Sequence, residues 1–438
     1  MLDPKQLSEI LVEFSNQNFY LKFEPEIFDF TDSTTEKYLV FYFKEKEVKI
    51  FLSDENLPFL LSILKLTLFS KNNRVLTWDW KNLSSYVLAK TGKALQIDAA
   101  LIDLKILESY SGFKKTSPES MLEALNRLRD VISSGSWKDC ESTYKKIHLP
   151  LMTQVIPHLE TVGVLHAENR RKVFAHYEIE GQQNGRLRCH QAFKDGFVPH
   201  AMTSEFKQNL KPKDFDKFFV SFDFQGMEVF VLAWLSQDQE LLNLCKQPDV
   251  YSSIFELISK RKCENKKQRD LTKKFFLPVI YGQSASALSK NCELTLLTAE
   301  AIVDRIKHFF PAVSAFIQSH QKQIEEQGYA KDFFGRRRLS FEEGKSYAVR
   351  NFAVQSPAAL ICLEKLISLY FEIAKTTEVV YTVHDGYVVY ADKSEINSVV
   401  KTGLEVLSSE SFLCPGLKLR VSCQVGENLN ELKPIEMK

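Results

Sequence analysis

The sequence predicts a mixed α/β (α+β) fold with more than one domain, and three observations lead to this prediction. Near the start of the chain, short segments rich in aromatic and β-branched residues alternate with amphipathic segments, as strands and helices do. Further on, helical patterns dominate between two apolar strands that each lead to an aspartate. The 438 residues are enough for two or three hydrophobic cores.

The composition is that of an ordinary soluble protein, with 44% hydrophobic and 26% charged residues. No apolar run approaches the length of about 20 residues needed to span a bilayer, and the first residues lack the basic and apolar regions of a secretory signal. The eight cysteines form no Cys-x-x-Cys pair, which argues against zinc sites and disulfide frameworks. We therefore expect a cytoplasmic protein with no membrane contact.

The order of the predicted elements divides the chain into two parts. In the first part, strands are predicted at residues 20–23, 38–43, 48–52 and 75–78, and helices at 57–68, 117–133 and 137–162. The polar segment 133–136 marks a domain boundary. In the second part, a strand at 218–223 precedes helices at 227–236, 251–260, 268–281, 298–309 and 313–327, and a hairpin at 379–390 follows.

Basic residues are clustered although the net charge is only +1. One cluster comprises Lys260, Arg261, Lys262, Lys266, Lys267, Arg269, Lys273 and Lys274, and a second comprises Arg336, Arg337 and Arg338. A local positive field attracts the phosphates of nucleotides and nucleic acids. A solvated helix face explains such a cluster equally well, so both interpretations stay open at this point.

Two aspartates occupy positions from which a sheet can present a carboxylate to a ligand. Asp223 ends a predicted strand, and Asp385 is at the tip of a predicted hairpin. Nucleotide transfer to a 3′ hydroxyl group uses two magnesium ions about 4 Å apart, held by carboxylates from distant segments. Each aspartate alone is more often a turn or cap residue, and the spacing does not establish that the two strands are neighbours.

A predicted helix between the two aspartates places four side chains on one broad face. These are Arg269, Lys273, Leu277 and Tyr281, which are spaced four residues apart. On an α-helix, a step of four residues rotates the side-chain direction by only about 40° around the helix axis. Two cations followed by an apolar and an aromatic residue suit a nucleoside triphosphate, with phosphates at one end and sugar or base at the other. An amphipathic surface helix is the alternative interpretation.

These segments resemble motifs A, B and C of the family A DNA polymerases, the DNA polymerase I family. The matching stretches are Asp223 to Phe230, Arg269 to Gly282 and Val383 to Gly386. Further matches follow in the family's order at Gly185-Arg186-Leu187, Gly328-Tyr329, Phe334 to Arg338, Asn351 with Gln355, and Val425 to Asn428. The likeness extends over roughly residues 145–430.

The resemblance implies a template-directed DNA polymerase of a bacterial or phage-infected cell that uses primer–template DNA, dNTPs and two Mg²⁺ ions, for which Mn²⁺ is expected to substitute. Asp223 and Asp385 would bind the metal ions, assisted by the carbonyl of Phe224. The nucleotide would contact Arg269, Lys273, Leu277, Tyr281, Tyr251 and Glu228, the last of which would exclude a ribose 2′-hydroxyl. The primer–template would contact Arg186, Asn351, Gln355 and His384.

The resemblance also implies a right-hand polymerase palm and fingers preceded by an RNase H-like 3′–5′ exonuclease-type domain. We predict an exonuclease-like domain at 1–140 and a polymerase domain at 141–438, with the palm at about 141–235 and 340–438 and the fingers at about 236–340. Relatives have a helical thumb where only nineteen residues separate Val164 from Asn184. We therefore expect a reduced or absent thumb, low processivity, and a processivity or replisome partner in its place.

Several positions depart from the family pattern. Leu277 replaces an aromatic residue, Tyr251 a histidine, Phe230 an arginine and Gly386 a glutamate. Pro278 lies inside the motif B helix, where its missing N–H predicts a kink. Because both metal-binding aspartates are retained, we expect an active but atypical polymerase.

The exonuclease-like domain lacks the complete set of four carboxylates with which its family binds two metal ions. Glu24 and Glu26 occupy the first site, Asn82 stands where an aspartate is expected, and Glu141 stands for the last carboxylate. A neutral amide binds magnesium poorly. We expect a degenerate, structural domain without proofreading, and residual proofreading through the three glutamates is the alternative.

Two other functions stay open. Single-subunit RNA polymerases share the Arg/Lys helix and the His-Asp turn, but the carboxylate of Glu228 would crowd a ribose 2′-oxygen. A catalytically silent nucleic-acid-binding protein gives no reason to retain Asp223, Arg269, Lys273 and Asp385 together. Primer extension with dNTPs, and separately with NTPs, distinguishes the three functions.

Overall fold

A computed structural model describes residues 18–24, 36–43, 46–68, 73–95, 97, 100–111, 117–168, 170–190, 196–212, 216–339, 349–373 and 377–435. Within these residues the chain forms three five-stranded sheets and one two-stranded sheet, with helices before, between and after them. The fold is therefore mixed, as the alternation of strand and helix patterns predicted.

The first sheet consists of β1 (Asn18–Glu24), β2 (Tyr38–Phe43), β3 (Lys46–Phe51), β4 (Arg74–Trp78) and β5 (Ala100–Asp103). The strand order is β3-β2-β1-β4-β5, in which β1, β4 and β5 are parallel and β2 is antiparallel to both its neighbours. Leu21 and Val75 join one core cluster, whereas Tyr20 and Leu76 join another. Adjacent residues of a strand point to opposite faces, so both faces of this sheet are covered.

The helices of the N-terminal part are α1 (Leu57–Leu68), α2 (Trp80–Thr91), α3 (Leu104–Ser111), α4 (Met121–Ser133) and α5 (Ser136–Thr143). Helix α4 begins later than predicted because Ser120 caps it and accepts a hydrogen bond from the Glu123 N–H. After α5 the chain stays helical through π-helical turns at Tyr144–His148 and Leu151–Val155 and continues as α6 (Ile156–Val162). The long helical segment predicted over 137–162 is confirmed.

The second sheet consists of β6 (Val164–His166), β7 (Arg171–Glu178), β8 (Arg188–His190), β9 (Gly196–Phe197) and β10 (Leu210–Lys211). Its order is β10-β6-β7-β8, and β9 pairs with β7. A 3₁₀ turn at Pro199–Ala201 and α7 (Ser204–Asn209) precede β10. Between residues 164 and 184, all of which except 169 are described, the chain forms strands and turns and no helix. The reduced thumb stays a prediction.

A helical region follows the first strand of the third sheet. Its helices are α8 (Met227–Ser236), α9 (Gln239–Cys245), α10 (Val250–Ser259), α11 (Lys266–Ile280), α12 (Ala285–Cys292), α13 (Leu296–Phe309) and α14 (Pro311–Gln327). Five of them begin after a side chain that caps the first turn: Asp238, Asp249, Asn265, Ser284 and Thr295. Pro278 lies in the last turn of α11, close to where that helix ends. The two-stranded sheet, β12 (Tyr329–Lys331) with β13 (Arg337–Leu339), comes after α14.

The third sheet joins distant parts of the chain. Its strands are β11 (Lys217–Phe224), β14 (Val379–Val383), β15 (Gly386–Asp392), β16 (Val421–Gly426) and β17 (Lys433–Pro434). The order is β14-β15-β11-β16-β17, and every pair is antiparallel. Helices α15 (Phe352–Ile373) and α16 (Ile396–Ser408) belong to the same region. A Cβ atom at Gly403 of α16 would overlap the ring of Phe222, so the close approach of this helix to the sheet requires glycine.

Helix α15 is long and apolar enough to cross a bilayer by length and composition, with a mean hydropathy of 1.4, but 83% of its most apolar window is buried. The prediction that no apolar run approaches this length was therefore wrong. Glu364 and Lys365 interrupt the run in the sequence, yet both are buried. Glu364 accepts a hydrogen bond from the Phe412 N–H at 3.0 Å, and Lys365 donates to the Ser409 carbonyl at 2.8 Å. A mostly buried helix of this kind is typical of a protein core.

Candidate active site

The two predicted metal-binding aspartates lie at the same end of two neighbouring strands of the third sheet. The Cα atom of Asp223 in β11 pairs with that of Gly386 at the start of β15. Asp385 immediately precedes Gly386, and its carbonyl oxygen accepts a hydrogen bond from the Phe224 N–H at 3.3 Å. Paired Cα atoms are about 5 Å apart and consecutive ones about 3.8 Å, so the two aspartate Cα atoms are at most about 9 Å apart.

The carboxylate of Asp223 is electrostatically coupled to its neighbour. Asp223 is an exposed residue, but the surrounding protein still removes part of the water from its carboxylate. This desolvation, followed by repulsion from Asp385, raises the pKa of Asp223 to about 6, and the ammonium group of Lys273 opposes the rise. The site therefore holds two acidic groups that repel one another and a cation that partly compensates them.

The donor atoms at this end of the sheet suit a divalent cation. Asp223 and Asp385 supply hard oxygen atoms, and the carbonyl of Phe224 is a third candidate, because it belongs to the next residue of β11. Gly386 provides no side chain, and a Cβ atom there would be 3.4 Å from Oδ1 of Asp223. Within the described residues no group of three or more His, Cys, Asp or Glu side chains is arranged to hold a metal ion. A metal at this end of the sheet would therefore have two carboxylates as its side-chain ligands, with the Phe224 carbonyl as a backbone ligand.

The raised pKa of Asp223 gives a prediction for the metal-free protein. We expect the carboxyl group to titrate with a midpoint near pH 6, because its charged form is disfavoured by desolvation and by Asp385. At pH 5 roughly nine tenths of Asp223 would carry a proton, and at pH 7 roughly one tenth, so Mg²⁺ binding should weaken as the pH falls. Carbon-13 NMR of labelled aspartate carboxyls measures the midpoint.

Asp385→Asn serves as the control for this titration, because the variant removes the neighbouring charge and should move the Asp223 midpoint to a lower pH. A wild-type midpoint near pH 4, unchanged in the variant, would contradict the coupling of the two carboxylates.

Helix α11 carries Lys273, a cation next to this site, and Arg269, which lies one turn earlier. Lys273 is exposed and lies close enough to Asp223 to affect the pKa of its carboxyl group. Arg269, one turn earlier, donates a hydrogen bond from Nε to Oδ2 of Asp249 at 2.9 Å. Its guanidinium group is 5.6 Å from the centre of the Tyr251 ring. Of the two cations predicted to hold a triphosphate, Lys273 is therefore close to Asp223, and Arg269 is oriented by an ion pair with Asp249.

Glu228 is held between two predicted site residues. Its Oε1 accepts a hydrogen bond from Nη2 of Arg186 at 2.9 Å, and its Oε2 accepts one from the Tyr281 hydroxyl at 3.3 Å. Burial, and then the charge of Glu228, raises the pKa of Tyr251 to about 12. Leu277 is partly buried one turn before Tyr281. The structure thus brings Glu228 together with Tyr281 and Tyr251, and Leu277 lies one helical turn before Tyr281.

The predicted primer–template contacts are distributed over several elements. His384 has a left-handed backbone with a φ of 53°, and its ring centre is 5.7 Å from that of His200. Burial, and then the charges of Arg186 and His200, lowers the pKa of His384. Asn351 and Gln355 lie one turn apart at the start of α15, and the buried Oδ1 of Asn351 has no hydrogen-bond partner within the described residues. In the described part of the chain, no hydrogen bond joins the side chains of Asn351 and Gln355 to Asp223 or Asp385.

Two residues of the site were missed from the sequence. Asp249 caps α10 and accepts hydrogen bonds from Ser252 and Arg269. Desolvation by itself would raise the pKa of Asp249, but these hydrogen bonds and the charge of Arg269 outweigh it, so the pKa is lowered. Its position in an N-cap pattern just before Tyr251 was the available signal. Ser422 of β16 donates its hydroxyl to the Asp223 carbonyl at 3.2 Å. Only the pairing of β16 with β11 brings it there, so no local signal existed.

The first predicted exonuclease position, Glu24, is engaged by lysines. Its carboxylate forms ion pairs with Lys22 at 2.9 Å and with Lys49 at 2.5 Å. Desolvation by itself would raise the pKa of Glu24, but the two ammonium groups outweigh it and lower the pKa. The negative charge that would bind a metal ion in an exonuclease is compensated here by side chains of the same sheet.

The other predicted exonuclease residues that the structure describes contact different parts of the protein from Glu24. Asn82 is buried in the first turn of α2, at 4% exposure. Glu141 of α5 forms an ion pair with Lys145 at 2.6 Å, one turn along the same helical segment. Glu26 lies outside the described residues. The described positions therefore form ordinary surface and core contacts, and the roles predicted for them stay predictions.

Comparison with known proteins adds an independent line of information. A family model described as DNA polymerase family A matches residues 94–431, well over half of the chain. The chain is 26% identical over 235 residues to DNA polymerase I of Chloroflexus aurantiacus, a match that covers 50% of this chain and 25% of that protein. It is 26% identical over 222 residues to the thermostable DNA polymerase I of Thermus aquaticus, covering 48% and 26%. The chain thus matches about a quarter of the length of these curated relatives.

A solved structure has a similar fold over nearly the whole chain. It is described as the POL domain of Pol1 from M. smegmatis in complex with DNA primer-template and dNTP. The TM-score is 0.76, and the superposition covers 98% of this chain and 99% of the other. With 13% sequence identity, this likeness bears on the fold alone.

Proposed function

The chain belongs to the family A DNA polymerases, and from this premise we propose that it is a template-directed DNA polymerase that adds dNTPs to the 3′ end of a primer by two-metal nucleotidyl transfer. The observation that carries the proposal is the pairing of Asp223 with Gly386, which places Asp223 and Asp385 side by side next to Lys273. Mg²⁺ would be the cofactor, with Mn²⁺ as a substitute.

Each component of the site has a distinct task in this reaction. Asp223 and Asp385, with the Phe224 carbonyl, would hold the metal ions. When bound, these ions stabilise the negative charge on the attacking and leaving oxygen atoms. Lys273 would place its ammonium group against the triphosphate, and Arg269 would add its guanidinium group. Asp249 accepts from Nε of Arg269, and Nη1 is 3.6 Å from the Asp270 carboxylate, so Nη2 is the nitrogen atom best placed for a phosphate oxygen atom.

Selection against ribonucleotides would rest on Glu228. Arg186 and Tyr281 each bond one of its carboxylate oxygen atoms, so the side chain is held in one position. A fixed carboxylate beside the sugar leaves no space for a 2′-hydroxyl group, which is how a site rejects a substrate that is larger by one oxygen.

Primer extension tests the proposed function and its alternatives together. A labelled primer on a longer template is incubated with Mg²⁺ and dNTPs, and separately with NTPs. Extension with dNTPs in strong preference to NTPs is the expected result. Equal or better extension with NTPs would favour the RNA polymerase alternative. Binding of primer–template without extension under either condition would favour the catalytically silent alternative.

We expect synthesis to be distributive. The described residues between β6 and β8 form a strand and turns, which leaves little protein to hold the duplex between nucleotide additions. In a primer-extension reaction with a large excess of unlabelled trap DNA, products should be only a few nucleotides long. Long products from a single binding event would contradict this expectation, and a partner that lengthens the products would identify a substitute for the thumb.

We further propose that the N-terminal part lacks proofreading activity. The lysine pairs of Glu24 and the amide of Asn82 support this proposal, because neither arrangement favours a bound divalent cation. A primer with a mismatched 3′ nucleotide should remain undigested in the presence of Mg²⁺ and absence of dNTPs. If the wild-type protein digests this primer and the Glu24→Ala variant does not, the N-terminal part is a functional exonuclease.

A further inference from the structure

A short hairpin that follows the helical region in the sequence contacts the N-terminal part of the chain. It consists of β12 and β13 and contains the basic residues 336–338, which the sequence offered as candidates for phosphate binding. Lys331 forms an ion pair with Asp139 of α5 at 2.6 Å, and Nη2 of Arg337 donates to the Ser134 carbonyl at 3.2 Å. Part of this positive charge is therefore used within the molecule, against helices α4 and α5.

Arg336 is the most buried member of the hairpin, with 1% of its surface exposed. Both terminal nitrogen atoms of its guanidinium group bond the carboxylate of Glu180, one of them at 2.6 Å. Nη1 also donates to the Ser109 hydroxyl at 3.1 Å, and the guanidinium carbon is 4.5 Å from the centre of the Tyr110 ring. We call these four residues the Arg336 bridge. Ser109 and Tyr110 belong to α3 of the N-terminal part, and Glu180 follows β7.

The bridge fixes the loop of residues 180–187 at two points. Glu180 lies at its start, with a left-handed backbone φ of 60°. Near its end, Gly185 has a φ of 80°, and a Cβ atom there would be 3.0 Å from the guanidinium carbon of Arg336. The loop therefore bends over Arg336, and glycine is needed both for the backbone conformation and for this close contact.

The next residue of the loop, Arg186, reaches the proposed nucleotide site. Its Nη2 bonds Oε1 of Glu228 at 2.9 Å, and the Tyr281 hydroxyl bonds the other oxygen. A continuous set of contacts thus leads from Tyr110 through Arg336 and the 180–187 loop to Glu228. Coupling between distant residues travels through packed side chains and hydrogen bonds of this kind.

We propose that the N-terminal part of the chain helps to select the nucleotide, because the Arg336 bridge positions Arg186 and thereby Glu228. The proposal rests on the proposed function, in which Glu228 excludes ribonucleotides. Arg336 and Glu180 are positioning residues, since their effect on the nucleotide passes through Arg186. The N-terminal part, for which we propose no proofreading, would in this way act through its effect on the polymerase site.

Arg336→Lys is the informative variant, because lysine keeps the charge but cannot bond both oxygen atoms of Glu180 in the planar geometry of a guanidinium group. Single-nucleotide incorporation by the full chain gives kcat/KM for a dNTP and for the matching NTP. We expect the ratio of the two to fall about tenfold, mainly through improved use of the NTP. Lys331→Gln is the matched control: it removes another contact of the same hairpin with the N-terminal part and should leave the ratio unchanged.

A double-variant comparison separates positioning from a general loss of stability. In a Glu228→Ala background, where the selecting carboxylate is absent, Arg336→Lys should cause no further change in the dNTP/NTP ratio. Should Arg336→Lys fail to fold in a thermal melt, Glu180→Gln provides the same test with a smaller change.

The outcomes of this experiment are distinguishable. Folded variants of Arg336 and Glu180 that keep the wild-type ratio would overturn the inference while leaving the polymerase function intact. An equal change in the Lys331→Gln control would also overturn it, because the effect would then follow from loosening of the hairpin as a whole. A wild-type protein that extends no primer would instead overturn the proposed function.

Discussion

Asp385→Asn is expected to reduce the rate of primer extension by about a thousandfold or more. The asparagine side chain is of similar size but carries no charge, so the site loses one of the two carboxylates proposed to bind the metal ions. Stabilisation of the developing charge by bound metal ions contributes several kcal/mol to such reactions, which corresponds to this loss of rate. Rapid-quench measurement of single-nucleotide incorporation, with saturating dNTP and Mg²⁺, determines the change.

Asp392→Asn is the matched control for this prediction. Asp392 ends the same strand, β15, at the opposite end from the site, and its contact is an ion pair with Lys217 at 3.8 Å. This variant should retain wild-type activity. If Asp385→Asn kept more than about a tenth of the wild-type rate, the two-carboxylate site would be incorrect.

Lys273→Met is expected to lower kcat/KM for dNTP about a hundredfold. Methionine preserves most of the length and apolar character of the side chain but removes the ammonium group next to Asp223. Removal of one hydrogen-bond donor that stabilises transition-state charge in other enzymes costs about 10²–10³ in rate. Steady-state kinetics over a range of dNTP concentrations should show a decrease in kcat as well as an increase in KM, because the charge on the triphosphate grows during the reaction.

Lys290→Met tests whether this effect is specific. Lys290 is an exposed lysine in the last turn of α12, in the same helical region, so its replacement changes the net charge by the same amount. We expect unchanged kinetics. A comparable loss in both variants would mean that the general positive field of this region, rather than the position of Lys273, governs nucleotide binding.

Local patterns predicted most of the secondary structure. The helices over 57–68 and 227–236 and the strand over 38–43 have the predicted bounds, because their periodicity and flanking residues lie within the segment itself. The π-helical turns between α5 and α6 were not predicted, since the hydrophobic pattern over so short a segment does not distinguish i→i+5 from i→i+4 hydrogen bonding. Helix α15 was misjudged because two charged residues in its sequence are accommodated by partners far along the chain.

The site was predictable to the extent that it depends on motifs. The proximity of Asp223 and Asp385 followed from the resemblance, whereas spacing alone left it open, because pairing between β11 and β15 is a long-range property. The ion pair between Arg269 and Asp249 and the Arg336 bridge were not predicted. Both depend on which elements pack against one another. The sequence around each of these residues does not indicate which distant residue it contacts.

The central position of β11 in the third sheet also determines when the site can first exist. Both neighbours of this strand, β15 and β16, are made well after it, and about 200 residues separate Phe224 from Gly426. At a translation rate of about 5–20 residues per second, β11 would wait roughly 10–40 s on the ribosome for its second neighbour. During that interval the apolar residues Phe219, Val220 and Phe222 lack their final partners, so a chaperone or the ribosome surface is expected to shield this strand until both neighbouring strands have been made.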